Sequence, residues 1–222
     1  MRLRAAVRNS RAVIGRSLHQ VMALVSSDNE LYASFYGQRR AGARRAEDTA
    51  VERERLIADN LLFPHYHEEI RFAALSLTNE GVRYYGPCSI VLSEIALRNR
   101  TTVFEKNSVE FCREHRLGVE APLPPGYRAV WDARDKLAAA KLHGQLKPDD
   151  MERDFQRLLL SNDQQACADF VEVHIYGPLH RRAIASITVD EPATASDEAL
   201  VIELEKRAAE VDARVVRKHA GS

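Results

Sequence analysis

The chain has 222 residues, 45% of them hydrophobic, and its 32 basic and 32 acidic side chains leave a formal net charge of zero. That hydrophobic share supports a sizeable core and excludes wholesale disorder, and the length suits a single domain. A zero net charge argues against a generic phosphate-binding surface, which needs a basic excess.

The cysteines and the apolar runs indicate the cellular compartment. Cys88, Cys112 and Cys167 are far apart and lack metal-ligand spacing, which favours reduced thiols in a cytoplasmic protein. No apolar run approaches the roughly 18 residues needed to cross a bilayer. The N-terminus also lacks the continuous apolar segment of a secretory signal. We therefore expect a cytoplasmic protein without a membrane partner.

The N-terminal region, residues 1–58, is predicted to be mainly helical. Apolar residues recur at helical spacing between Leu3 and Val25, which predicts one helix there. Residues 44–60 are strongly charged, with acid–base pairs at helical offsets, and predict an exposed helix. The first 16 residues are basic without an acid, so a nucleic-acid-binding helix is a third, weaker hypothesis. A solvated helix face explains the same charges better, and direct nucleic-acid binding is not expected.

The central region, residues 69–189, is predicted to be an α+β core. Its strand candidates are short, rich in β-branched residues and separated by turn residues: 71–78, 86–95, 101–106, 170–177 and 184–189. Helices are predicted at Ala129–Leu142 and Asp149–Leu160, and a C-terminal helix at 196–217 with Ser196 as its N-cap. We expect one α+β domain with a small, strongly twisted mixed or antiparallel sheet, flanked by helices that include the N- and C-terminal ones.

The segment His65–Glu69, HYHEE, gathers side chains that can bind metals. His65 and His67 would share one side of a strand, and zinc accepts imidazole nitrogens. The chain supplies no partner pattern such as HExxH, so a solvated turn after Pro64 is the better interpretation. No metal site is predicted.

Ser76, Thr78 and Glu172 form a second candidate site. The strand RFAALSLT, the following NEGVRYYG, the segment YGPCSIVL and the later strand FVEVHIYG resemble the core of ADP-ribosyltransferase-like folds. Such enzymes hold NAD with a hydroxyl-bearing strand and use one glutamate on a later strand to steady the ribose and the acceptor nucleophile. The resemblance implies that Glu172 is catalytic, that Ser76 and Thr78 brace the NAD pocket, and that Arg71 takes the arginine role. The competing interpretation has Glu172 alternating outward on an ordinary strand.

The segment DNLLF, which comprises Asp59, Asn60, Leu61, Leu62 and Phe63, suggests a different function. It resembles the short peptide by which bacterial proteins dock on the DNA-polymerase sliding clamp, with Asp59 where that peptide has glutamine. A docking peptide must be accessible and extended, and the proline after Phe63 disfavours the α conformation there. The resemblance implies that Leu61, Leu62 and Phe63 anchor the contact. Alternatively, these side chains pack a helix end onto the sheet.

The chain length, the Arg/Ala-rich character and IADNLLF together resemble the SocB-type replication-inhibiting toxins of bacterial toxin–antitoxin pairs. That resemblance implies a toxin without a cofactor that binds the DNA polymerase III sliding clamp and competes with its partners. It also implies a cognate antitoxin that acts as a protease adaptor for the ClpXP protease. This clamp-binding toxin is the leading hypothesis from the sequence. The alternative is an ADP-ribosyltransferase-like toxin that uses NAD to modify an intracellular target.

Overall fold

The computed structural model describes residues 2–28, 31, 32, 34, 36, 37, 49–118, 123–165 and 168–218. Its α-helices are α1 (Arg2–Arg8), α2 (Leu18–Val25), α3 (Thr49–Leu62), α4 (Glu94–Leu97), α5 (Ser108–Glu114), α6 (Arg134–Leu142), α7 (Glu152–Leu159) and α8 (Ala195–Ala209). Its strands are β1 (Arg11–Arg16), β2 (Leu31–Tyr32), β3 (Ile70–Ser76), β4 (Cys88–Leu92), β5 (Thr101–Phe104), β6 (Arg128–Val130), β7 (Leu160–Ser161), β8 (Asp169–Phe170), β9 (Glu172–Tyr176), β10 (Leu179–His180), β11 (Ile184–Val189) and β12 (Arg214–Arg217). Within these described ranges, no helix is both long and apolar enough to cross a membrane.

An eight-stranded sheet forms the centre of the fold, in the order β12-β11-β4-β1-β3-β9-β5-β6. β11 and β12 pair in parallel, and the other neighbours in this sheet pair antiparallel. The predicted α+β class with a mixed or antiparallel sheet flanked by helices is therefore confirmed. The sheet is larger than the small one expected.

The strands predicted in the central region are confirmed at β3, β4, β5 and β11. The fourth candidate, 170–177, contains the end of β8 and the whole of β9, with a break at Val171. All five residues of β4 and the first four of β9 are buried. Strands covered on both faces consist of nearly continuous apolar runs, which is why their β-branched composition identified them.

The single helix predicted between Leu3 and Val25 is wrong, because a strand divides it. β1 follows α1 and lies between β4 and β3 in the middle of the sheet. The four central residues of β1 are buried, so the strand shows no polar alternation and its apolar run resembles part of a helix face. Ser17 then caps α2, since its hydroxyl accepts from the Gln20 N–H and the Gln20 side chain accepts from the Ser17 N–H.

The helices predicted in the C-terminal half are shorter than expected. At the start of the predicted helix 129–142, residues 129 and 130 belong to β6 and Trp131–Ala133 forms a 3-10 helix, so α6 begins at Arg134. α7 covers residues 152–159 of the predicted 149–160. The predicted helix at 196–217 is α8 followed by β12, with Asp212 at a φ of 58° in the reversal between them. Thr194, rather than Ser196, caps α8 by accepting from the Asp197 N–H at 3.1 Å.

The two faces of the sheet pack against different elements. One face carries Ala73, Leu75, Val173 and Ile175 into the main hydrophobic core. On the other face a second cluster joins the end of α3 to α5 and the sheet: Leu62, Phe63, Ile70, Phe104 and Phe111. Opposed residues of antiparallel strands point to the same face. Ala74, Glu172 and Phe104 therefore share this second face, which we call the α3 face.

At Gly15 in β1, the backbone of a neighbouring segment approaches closely. A Cβ atom at Gly15 would lie 2.3 Å from the Val82 carbonyl oxygen. A backbone carbonyl cannot swing aside as a side chain can, so we expect Gly15→Ala to lower the free energy of unfolding by about 1–3 kcal/mol. Chemical denaturation measures this change, with Gly144→Ala as the matched control because no atom lies within 4 Å of a Cβ there. Equal losses in both variants would contradict the prediction.

Candidate functional site

Glu172 is the first residue of β9 and lies on the α3 face, between β3 and β5. Only 1% of the residue is exposed. The interpretation that Glu172 alternates outward is therefore wrong, because helices cover this face of the sheet. A strand with both faces buried places its polar residues inside along with its apolar ones.

Three donors surround the Glu172 carboxylate. Arg55 Nη1 from α3 donates to Oε1 at 3.3 Å, and the Ser108 backbone N–H at the start of α5 donates to Oε2 at 3.0 Å. His174 Nε2 lies 2.9 Å from Oε2. The carboxylate thus joins two helices to the sheet, and its position at the first turn of α5 is favourable for a negative charge.

These donors keep Glu172 ionised. Burial by itself would raise the pKa of Glu172, but the Arg55 charge and the His174 and Ser108 hydrogen bonds hold that pKa at about 2. The side chain is therefore a fixed anion at neutral pH. An acid that never holds a proton cannot donate one, so Glu172 is suited to charge stabilisation rather than general-acid chemistry.

Arg55 connects Glu172 to a second carboxylate, that of Asp59. Arg55 Nε lies 3.1 Å from Asp59 Oδ2, and the Tyr36 hydroxyl donates to the same oxygen at 2.9 Å. The Arg55 guanidinium also lies 3.6 Å from the centre of the Phe72 ring, a cation–π contact. Burial raises the pKa of Asp59 despite Arg55 and Tyr36. Of the two carboxylates, Glu172 is therefore the firmly ionised one.

His174 fills an aromatic cage behind the carboxylate. Its ring centre lies 4.8 Å from that of Phe63, 5.4 Å from that of Phe72 and 5.6 Å from that of Phe104. Burial lowers the pKa of His174, although Glu172 opposes this, so the imidazole is neutral. An ionised Glu172 accepts hydrogen bonds only, which assigns the His174 proton to Nε2.

Several polar atoms beside this carboxylate have no hydrogen-bond partner. Within the part of the chain that the structure describes, these buried atoms are Arg55 Nη2, Ser108 Oγ and His174 Nδ1. Buried polar atoms in proteins nearly always have a hydrogen-bond partner. Three unpartnered atoms close to one buried anion therefore indicate a site that accepts further polar contacts.

The structure brings only some of the residues predicted for this site onto the same face of the sheet as Glu172. Ser76 is buried and lies on the α3 face, two positions from the Ala74 that pairs with Glu172, and its hydroxyl accepts from the Glu80 N–H at 3.1 Å. Thr78 is exposed in the turn beyond β3. Arg71 pairs with Ile175 and therefore points to the opposite face, where it donates to backbone carbonyls. Arg71 does not join Glu172 in one site, and Arg55 is the arginine beside it.

The DNLLF segment forms the last turn of α3 and the residue after it. Asp59, Leu62 and Phe63 are 0%, 3% and 2% exposed, while Leu61 is half-buried and Asn60 is exposed. The Phe63 N–H still donates to the Asp59 carbonyl at 2.8 Å, so the chain stays helical through Leu62, two residues before Pro64. The predicted extended, accessible conformation is wrong, and the side chains pack a helix end onto the sheet. Clamp binding stays a prediction that requires Leu62 and Phe63 to leave the core.

The HYHEE segment forms a turn and a short 3-10 helix at His67–Glu69, with His65 at a φ of 75°. In the described ranges, no group of three or more His, Cys, Asp or Glu residues is placed to hold a metal ion. Cys88 and Cys112 are buried free thiols, and Cys167 lies outside the described residues.

Sequence reasoning missed Arg55, Ser108 and His174 as members of this site. His174 carried a usable signal, because residues two apart on a strand share a face and Glu172 was already a candidate. Arg55 and Asp59 likewise stand four apart on a predicted helix. No local pattern connects Arg55 to Glu172, which is 117 positions away along the chain.

Comparisons with known proteins add a structural likeness. No protein-family model matches the sequence, and no curated protein matches it. The solved structure of Thermus sp. 2.9 DarT in complex with carba-NAD+ is similar over 95% of this chain and 96% of that chain, with 8% identity and a TM-score of 0.47. At that identity the two chains share few side chains, so the residues of this chain decide its chemistry.

Proposed function

We propose that this chain is an NAD-dependent, ADP-ribosyltransferase-like toxin that modifies an intracellular target, with Glu172 as its catalytic residue. The observation that carries this proposal is the ionised, fully buried Glu172 carboxylate, whose neighbours still have unsatisfied polar atoms. The sequence resemblance described above supports the same residue in the same role.

A fixed anion is useful in this chemistry because of where charge develops. NAD, when bound, would supply an ADP-ribosyl group whose ribose gains positive charge as the nicotinamide leaves, as in glycosidic cleavage generally. A carboxylate stabilises such a charge most strongly where water is excluded and the surrounding dipoles are already oriented. Glu172 meets both conditions, since Ser108 and His174 hold its orientation.

The surrounding residues fit a ligand rich in hydroxyl groups. Glu172 accepts hydrogen bonds, while Arg55 Nη2 and Ser108 Oγ are buried and without a partner. Ser76 lies on the same face and would brace the ligand as the resemblance implies. Thr78, in an exposed turn, could do so only at the edge of such a site.

Access to Glu172 depends on α3. Glu172 is 1% exposed, and the Arg55 side chain, 13% exposed, covers it from that helix. For a ligand to reach the carboxylate, α3 has to shift so that polar groups of the ligand can replace the Arg55 contact. Arg55 is therefore the residue that a substrate displaces or shares.

The test is nicotinamide release from NAD by the purified chain in the presence of a bacterial lysate. We expect release by the wild-type chain and a loss of about 100-fold or more in Glu172→Gln, the scale of removing one electrostatic contact to a transition state. Glu203→Gln in α8 is the matched control and should keep full activity. Because Glu172→Gln also removes an ion pair, circular dichroism must show that the assayed variant is folded. Unchanged release by folded Glu172→Gln, or no release by the wild-type chain, would contradict the proposal.

A further inference from the structure

The α3 face continues past His174 to a surface cluster at the edge of the sheet. Arg128 on β6 lies opposite Phe104 on β5, which in turn lies opposite Glu172 on β9. Arg128 is thus two strands from Glu172 on the same face. Tyr176 follows His174 by two positions and shares that face as well.

Arg128 is a half-buried cation that has no carboxylate partner among the described residues. Its guanidinium lies 4.9 Å from the Phe63 ring centre, and its Nη2 donates to the Leu62 carbonyl at 3.1 Å. Its Nε is buried and has no partner. In the described part of the chain, no carboxylate forms an ion pair with it. An oxyanion that reaches this side chain would satisfy the unpartnered Nε donor.

Two tyrosines are exposed on the same side of the sheet. Tyr66 is 41% and Tyr176 is 52% exposed, and their rings meet edge to face with centres 5.9 Å apart. Tyr66 also contacts the Phe63 ring at 5.8 Å, the same ring that Arg128 covers. Val130, two positions from Arg128 on β6, is on the same face and is 63% exposed. Large exposed rings grouped together commonly mark a binding surface.

We propose that Arg128, Tyr66 and Tyr176 form a binding site for an oxyanion carried on a flat ring. The guanidinium takes the phosphate or carboxylate, which its planar donors match. The tyrosine rings pack against the ring of the ligand. Glu172 takes no part in this site, so the inference does not depend on NAD turnover.

A purely structural role for Arg128 explains less. A cation near a helix C-terminus stabilises the last carbonyls, which accounts for the contact with Leu62 at the end of α3. It does not account for the unpartnered Nε or for the two exposed tyrosine rings, which connect to the guanidinium through the Phe63 ring.

Phenyl phosphate is the probe, because it carries both an oxyanion and a flat ring. Its binding to the full chain can be measured by calorimetric titration at low salt. We expect phenyl phosphate to bind at least about tenfold more tightly than inorganic phosphate or phenol, since each lacks one half of the contact. Arg128→Gln should weaken phenyl phosphate binding by about tenfold or more. Arg98→Gln is the matched control, because Arg98 is exposed and already paired with Asp132.

Tyr176→Ser provides a second variant in case Arg128→Gln unfolds, since Tyr176 is half exposed and its loss leaves the core in place. Its affinity for phenyl phosphate should fall to that for inorganic phosphate. Benzoate identifies the oxyanion: tighter binding of benzoate assigns a carboxylate ligand, and tighter binding of phenyl phosphate assigns a phosphate. Equal affinity of the wild-type chain for ringed and ringless anions, or full binding by Tyr176→Ser, would overturn the inference.

Discussion

Phe63→Ala is expected to lower the free energy of unfolding by about 3–5 kcal/mol. Phe63 is 2% exposed and its ring packs against those of Phe72 and His174. Removing the ring leaves a cavity between the end of α3 and the sheet, which the surrounding strands cannot close. Urea denaturation followed by circular dichroism measures the change.

Ile57→Ala is the matched control for this prediction, because Ile57 is 48% exposed on the same helix. Its effect should stay within about 0.5 kcal/mol. An exposed docking peptide would instead give small changes in both variants. Sliding-clamp binding itself has to be measured on the folded wild-type chain, because a destabilised Phe63→Ala would lose binding whether or not Phe63 touches a partner.

Arg55→Gln is expected to lower the free energy of unfolding by a similar amount, about 3–5 kcal/mol. Arg55 is the cation shared by Glu172 and Asp59, which are 1% and 0% exposed. Without it, two buried carboxylates face each other with their countercharge removed. The same denaturation experiment at neutral pH measures the loss.

Arg53→Gln supplies the control, since Arg53 is exposed on the same helix, and its effect should be within about 0.5 kcal/mol. Adding Glu172→Gln to Arg55→Gln should recover part of the loss, because the double variant no longer buries the Glu172 charge. Additive losses in the double variant would show that the two side chains do not act as a pair.

The pH dependence of stability reports on the same pair. The pKa of Glu172 falls from its ordinary value of 4.5 to about 2 in the folded chain. The contribution of Glu172 to the free energy of unfolding is therefore on the order of 3 kcal/mol. It is complete above the pKa of Glu172 in the unfolded chain and is lost as the pH falls through its pKa in the folded chain. Asp59 has a raised pKa and acts with the opposite sign. Between about pH 5 and pH 2, the wild-type chain should thus lose more stability than Glu172→Gln.

Local pattern was sufficient for the fold class and for most of the sheet. Strands such as β4 are buried on both faces, and their composition alone distinguishes them from the charged helices around them. Pattern failed at β1, which is equally buried but stands between two helices. There the apolar residues of three elements followed one another at spacings that also fit one helix.

The candidate site divides in the same way. Glu172 was identifiable as a polar residue within an apolar strand, and DNLLF as an apolar group before a proline. The sequence did not show whether Glu172 or DNLLF is exposed, because burial depends on which element covers each face of the sheet. The end of α3 lies over the sheet and buries Phe63. Arg71 pairs with Ile175, three positions from Glu172, and an odd offset along a strand directs its side chain to the other face.

The sequence by itself determined the α+β class, the central strands and the presence of a lone glutamate on one of them. Only the tertiary structure decided that this glutamate is an anion held by Arg55, and that Leu62 and Phe63 form part of the core. The physical reason is the distance along the chain. Arg55 and Glu172 are 117 positions apart, and their contact exists only because strand pairing and helix packing bring α3 onto β9.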